Sequence, residues 1–127
     1  DVLSDINYLD LIEFHRSQHS PIATMALTSV EKTSMWGVAK LVGSSIVEFE
    51  EKPKAHKTKS HLVNAGIYVM SPKIFKYIDG KTRRLESEIF PRLAEEGQLA
   101  GYPFEGMWHD VSTPQIYEEV IQTYHHV

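Results

Sequence analysis

The chain has 127 residues, 42% of them apolar, with a formal net charge of −4 and no cysteine. That is enough chain for one domain with a core, and too apolar for a disordered segment. Scattered Lys and Arg under an acidic balance exclude a nucleic-acid surface as the main function, and the lack of Cys excludes a disulfide framework or a thiolate metal site.

No apolar run is long enough to cross a bilayer, no signal peptide is read, and a cytoplasmic location is expected. The chain starts at Asp1 with Val2-Leu3 directly behind it, as if cut just after a buried strand. Asp5 is expected to cap a helix running to about Gln18, with Tyr8, Leu11, Ile12 and His15 as its inner stripe. His19-Ser20-Pro21 stops that helix. The run Ile22 to Thr28 is short, apolar and unbroken, as in a strand buried on both faces.

Trp36 to Leu41 reads as a strand, residues 42–45 as a turn, and Ile46 to Glu51 as the antiparallel partner. Strict alternation there sends Ile46, Glu48 and Glu50 one way and Val47 and Phe49 the other. Lys54 to His61 is a polar, basic loop. Leu62 to Met70 holds a strong strand, and Ser71-Pro72 starts a short helix that Asp79-Gly80 ends. A second helix is predicted from Leu85 to Glu96, with Leu85, Ile89 and Leu93 on one face and Pro91 at a bend or a restart. Leu99 to Phe104 is a strand, and a last helix runs from Thr113 to about Tyr124. Strands alternating with helices, plus one hairpin, give a single α/β domain around a mixed sheet, spanning residues 1–127.

The stretch Gly106 to Pro114 carries the first chemical signal. Met107 and Trp108 lead a short strand, Asp110 stands at its end, and Ser112, Thr113 and Pro114 open a helix. A carboxylate is thereby set beside a helix N-terminus, at the sheet edge where open α/β folds bind ligands. The competing reading is that Asp110 only adds to the helix cap. Asp1 is the other acidic position considered for a metal, since Mg²⁺ often takes one or two carboxylates together with substrate phosphates.

Glu51-Lys52-Pro53 leaves the hairpin, with Pro53 expected to hold Lys52 extended. That Lys can offer a point charge to a phosphate and Glu51 can accept bonds from sugar hydroxyls; the alternative is a plain surface pair. In Asn64-Ala65-Gly66, Gly66 permits close backbone approach and Asn64 offers donor and acceptor; the alternative is a bulge. His15 and His19 have the spacing of a zinc pair but no evident third ligand, and His125-His126 lies at the chain end. No Ser-His-Asp arrangement can be argued.

Taken in order, these segments resemble the sugar-1-phosphate nucleotidyltransferases, the family of glucose-1-phosphate thymidylyltransferases and mannose-1-phosphate guanylyltransferases. Asp1-Val2-Leu3-Ser4-Asp5 is similar to the end of the family's (N)GD-[IV]-L-x-D segment. Trp36-Gly37-Val38 is similar to [YF]-G-V, Glu51-Lys52-Pro53 to E-K-P, and Asn64 to Val69 to N-A-G-I-Y-[VI]. Leu85-Glu86 through Ile89-Phe90-Pro91-Arg92-Leu93 resembles S-L-E-x-[DE]-[IV]-F-P-x-L, and Trp108 to Pro114 resembles W-x-D-[IV]-G-T-P. Ser112 replaces a Gly of that last pattern, and His109 stands where Arg is common.

The resemblance implies a Rossmann-like three-layer sandwich with a mixed sheet, of which this chain is the sugar-phosphate half, the N-terminal nucleotide-binding half being missing. It implies Asp1 and Asp110 as the metal-binding pair, with Mg²⁺ as cofactor, and Lys52 against the sugar phosphate. Gly37, Glu51, Asn64 and Gly66 are then the sugar-contacting positions. The implied reaction joins a nucleoside triphosphate and a sugar-1-phosphate and releases pyrophosphate. The family's G-G-x-G-T-R-L-x-P-L-T segment is absent, so the chain alone is expected to be inactive. The alternative is a non-catalytic sugar-phosphate-binding or subunit-assembly module. In either case the Ile22 to Thr28 run, or the strand at Trp108, is expected to become a sheet edge and to drive self-association or docking of the missing half.

Overall fold

The computed structural model describes residues 2–31, 33, 36–53, 60–81 and 84–110. In chain order the elements are β1 (Val2–Ser4), α1 (Tyr8–Ser17), β2 (Ala23–Ser29), β3 (Val38–Val42), β4 (Ser45–Glu50) and β5 (Leu62–Met70). A 3₁₀ turn (Pro72–Tyr77), a π turn (Leu85–Ile89), α2 (Phe90–Glu95), β6 (Leu99–Pro103) and β7 (Trp108–Asp110) follow. The helix expected from Thr113 to Tyr124 lies outside the described residues, as do Asp1 and most of the Lys54 to His61 loop.

The mixed sheet is organised on β2, which pairs antiparallel with β5 and parallel with β6. Ala23, Met25 and Leu27 face one core, together with Phe49, Ile89, Phe90, Leu93 and Leu99. Ala26 faces the other, with Ile6, Leu11 and Ala65. This is why the run carries no polar alternation: both faces are covered, by α2 on one side and α1 on the other. The hairpin β3–β4 bends over the α2 side. It joins β5 through Val38 and Val63, and β6 through Ser45 and Ala100, so the five strands close into a ring. β1 and β7 form a separate antiparallel ribbon, Val2 opposite Asp110 and Ser4 opposite Trp108.

Several local expectations are corrected. The cap of α1 is Asn7, whose Oδ1 accepts the Asp10 N–H at 3.2 Å. Asp5 is engaged elsewhere: its carboxylate accepts the Met107 N–H at 2.8 Å, fixing the turn before β7. Tyr8 is exposed rather than inside, because it stands in the first turn, beyond the sheet face that buries Leu11. In the hairpin, Lys40 opposes Glu48 while Leu41 opposes Ile46, so Val47 is an extra residue. One inserted residue inverts the parity of everything beyond it, and Ile46 and Phe49 consequently both point inward.

The predicted Leu85 to Glu96 helix opens as a wide turn, with the Ile89 N–H donating to the Arg84 carbonyl at 3.1 Å, and restarts at Phe90 with Pro91 in its first turn. The restart buries Phe90 completely beside Leu93, a core position the simple stripe omits. The Ile22 to Thr28 run is no edge at all, since β5 and β6 flank it.

β6 passes where the ring is tightest. A Cβ on Gly101 would lie 2.7 Å from a Leu41 methyl, 2.8 Å from a Leu27 methyl and 3.0 Å from Ile46. All three belong to or pack on the core, so none can swing into solvent. Gly101→Ala is therefore expected to lower unfolding free energy by roughly 1–3 kcal/mol through overpacking, read from the urea midpoint at unchanged slope.

Candidate functional site

A bulge in β5 shapes the site. Met25 opposes Tyr68 and Leu27 opposes Asn64, so β5 carries surplus residues between them. Gly66 takes φ +79°, a conformation that favours glycine. Bulging frees backbone groups that must find partners. The Gly66 N–H donates to Asn64 Oδ1 at 2.7 Å, and the Ala65 carbonyl accepts the Trp108 indole N–H at 2.9 Å. The bulge, the plainer of the two readings of this segment, is thus present at Gly66. Val2 comes within 3.1 Å of where a Gly66 Cβ would stand, so the β1–β7 ribbon seats on the bulge.

A cleft of about 660 Å³ opens between this bulge, the base of the hairpin, the π turn and the ribbon. Gly37, Glu51, Lys52, Asn64, Gly66 and Asp110, six of the seven predicted site residues, line it. The seventh, Asp1, lies outside the described residues. Sequence reasoning missed Tyr68, Arg84, Glu86 and the side chains of Trp36 and Trp108, which line it too. Tyr68 could have been found from its register, four residues beyond Asn64, and Arg84 from its place just before Leu85-Glu86.

Each predicted residue has a local reason for its position. Gly37 is dictated by packing, because any Cβ there would collide with the buried Phe49 ring, which packs edge-on against Phe90 with centroids 5.9 Å apart. Its carbonyl accepts the Asn64 N–H at 2.8 Å, tying hairpin to bulge. Lys52 is not extended as its proline suggests: its φ is +47°. Its N–H donates to the Trp36 carbonyl at 3.1 Å, and that bond turns the chain out of the hairpin. A non-glycine residue held left-handed costs on the order of 1–3 kcal/mol, a strain that clusters at ligand sites. Among the described residues Lys52 forms no ion pair.

Along one wall the polar side chains are linked. Asn64 Nδ2 donates to the Tyr68 hydroxyl at 2.7 Å, which in turn donates to Glu86 Oε1 at 3.4 Å. Burial pushes the Tyr68 phenol well above its usual range, and Glu86 and Glu51 add to that, so Tyr68 is a fixed neutral donor. Asn64 thus bonds Tyr68 through Nδ2 and Gly66 through Oδ1, which fixes its amide in the wall with a second N–H and a second lone pair left over. Glu51 is raised above the ordinary carboxylate range, by burial first and the Glu86 charge second, with the Lys52 ammonium pulling it back.

On the β1–β7 ribbon Asp110 Oδ2 accepts the Trp36 indole N–H at 3.3 Å. No other side-chain hydrogen bond to Asp110 occurs among the described residues. No cluster of three or more His, Asp or Glu able to hold a metal occurs among them either. His15 of the histidine pair is committed elsewhere, its Nδ1 lying 2.7 Å from Thr24 Oγ1.

The cleft therefore joins a carboxylate end, a strained lysine and a hydrogen-bonding wall, on a mixed sheet between two helices. A family model described as nucleotidyl transferase matches residues 1–127. The chain belongs to that family. It is 38% identical over 117 residues to the mannose-1-phosphate guanylyltransferase catalytic subunit beta of Danio rerio, covering 91% of this chain and 32% of that protein. The chain thus spans about a third of the length of such relatives. In fold it is similar to the UTP-bound UGPase of Acinetobacter baumannii, with a TM-score of 0.80 at 19% identity over 97% of this chain and 47% of that one. It is likewise similar to a UDP-glucose pyrophosphorylase complexed with UDP-glucose, with a TM-score of 0.79 at 20% identity over 98% and 53%.

The electrostatics of the wall are open to a direct check. A raised acid holds its proton longer in the folded state, so Glu51 makes folding less favourable as pH rises through the window above the usual carboxylate range. Carboxyl ¹³C titration should place Glu51 above the other glutamates. Glu86→Gln should bring it down and Lys52→Ala should push it further up.

Proposed function

We propose that the cleft binds the sugar-phosphate partner in nucleotide-sugar synthesis, where a sugar-1-phosphate oxygen attacks the α-phosphorus of a nucleoside triphosphate and pyrophosphate leaves. One observation carries the reading: Gly37, Glu51, Lys52, Asn64, Gly66 and Asp110, spread over more than seventy residues of sequence, border a single cleft. Membership of the nucleotidyl transferase family supports it. Mannose-1-phosphate is the first sugar phosphate to test, given the name and identity of the Danio rerio relative.

In this reading the Lys52 ammonium meets the phosphate as a point charge, with Arg84 as a second cation bordering the same space. Glu51 accepts from sugar hydroxyls beside the hydrogen-bonded wall of Asn64, Tyr68 and Glu86. Catalysis of phosphoryl-type transfer is largely positioning and charge stabilisation, and a strained, preorganised lysine serves both.

The donor chemistry fits Mg²⁺, which takes oxygen ligands, keeps several waters, and needs only one or two protein carboxylates beside substrate phosphates. Asp110, with one oxygen tied to Trp36 and the other without a side-chain partner among the described residues, would hold it, with Asp1 as the second ligand by resemblance. Bound there, the ion neutralises charge on the phosphates. The 127 residues contain no G-x-G-T-R-L segment. We therefore assign them the sugar-phosphate side of the reaction, with turnover requiring a triphosphate-binding segment.

The reading predicts that Lys52→Ala weakens mannose-1-phosphate binding by about ten- to a hundredfold in calorimetry. That is the loss of a charge-assisted bond worth roughly 1.5–3 kcal/mol. Equal affinity in the variant would leave Lys52 a surface residue and remove it from the phosphate contact.

A further inference from the structure

Trp36 bonds to two segments that border the cleft, by two different routes. Its main-chain carbonyl accepts the Lys52 N–H at 3.1 Å, and its indole N–H donates to Asp110 Oδ2 at 3.3 Å. The indole does not float. Its ring meets the Trp108 ring edge-on, with centroids 5.7 Å apart and planes at 66°. Trp108 is itself pinned to the bulge through its bond to the Ala65 carbonyl. The chain of contacts Asp110–Trp36–Trp108–Ala65 ties a carboxylate at the tip of a short ribbon to the central sheet.

A free aspartate turns about two side-chain torsions, and a carboxylate has two equivalent oxygens. A donor aimed at one oxygen breaks that equivalence. It fixes the plane of the group and leaves the other oxygen as the one presented to a cation. A phenyl ring at position 36 keeps the edge contact with Trp108 and loses the donor, so the effect rests on the indole nitrogen and not on aromatic bulk.

We propose that Trp36 is a positioning residue that orients the Asp110 carboxylate for a divalent cation and, through its own carbonyl, holds Lys52 in register with it. This rests on the reading of Asp110 as the metal carboxylate. The indole acts through Asp110 and does not itself touch the cation.

The test uses Mn²⁺ as the probe, since it shares the oxygen preference of Mg²⁺ and free Mn²⁺ is counted directly by electron paramagnetic resonance. Wild type, Asp110→Ala and Trp36→Phe are titrated side by side. The Trp36 indole N–H resonance, assigned by its loss in Trp36→Phe, is read in wild type and in Asp110→Ala. Asp110→Ala is expected to abolish Mn²⁺ binding and to move the indole resonance upfield. Trp36→Phe is expected to weaken Mn²⁺ binding roughly 10- to 100-fold, the usual loss when the partner orienting a ligand is removed.

Equal Mn²⁺ affinity in Trp36→Phe and wild type overturns the positioning role while Asp110 stands as the ligand. Mn²⁺ affinity unchanged by Asp110→Ala, or absent in wild type, overturns the metal reading and the proposal with it. Should Trp36→Phe fail to fold, the resonance is assigned instead as the one that survives in Trp108→Phe, and it decides: a shift in Asp110→Ala supports the bond, and an unmoved resonance overturns it.

Discussion

Everything in this domain hangs on β2 being covered on both faces and paired along both edges. Burying Met25 and Leu27 on one side and Ala26 on the other requires two helical layers, and pairing with β5 and β6 requires a mixed sheet. A strand so constrained cannot slip, because a one-residue shift would exchange its two cores. It is the fixed frame against which β5 is forced to bulge. The bulge, in turn, is the floor of the cleft.

The cleft shows how backbone irregularity is turned to use. Three departures from ideal geometry meet there: the left-handed Gly66, the left-handed Lys52 and the Val47 bulge that swings Phe49 inward against Gly37. Each would be unfavourable alone. The first two are held by specific bonds: the Gly66 N–H to Asn64 and the Trp108 indole to the Ala65 carbonyl, and the Lys52 N–H to the Trp36 carbonyl. Strain of this kind persists only where the surroundings over-determine it.

The wall of Asn64, Tyr68, Glu86 and Glu51 adds an electrostatic gradient. Two carboxylates near each other, one of them partly buried, lie toward one side, and the Lys52 ammonium moderates them. Arg84 borders the same space without being bonded into the wall. Under the proposed function, sugar hydroxyls would meet the acceptors and a phosphate the cations.

Much of this was legible in the sequence. The Ile22 to Thr28 run announced a doubly buried strand because it carries no charged residue and no polar alternation, its two threonines being small enough to be buried with the rest. The hairpin was legible from Gly43 and its flanking strands. That Gly37, Glu51, Lys52, Asn64, Gly66 and Asp110 would border one space was legible through short motifs whose order is kept even though they lie far apart. What tertiary structure alone decided were matters of parity and partnership. Val47 could be known as the inserted residue only from the register of β3 on β4, and with it the inward turn of Phe49. Asp5 yielded the α1 cap to Asn7 because Met107, a hundred residues away, claims its carboxylate. Lys52 left the extended geometry its proline favours because the Trp36 carbonyl waits across the hairpin. Local preference is written in neighbouring residues, whereas these outcomes rest on hydrogen bonds between distant segments, which exist only once β2 has brought them together.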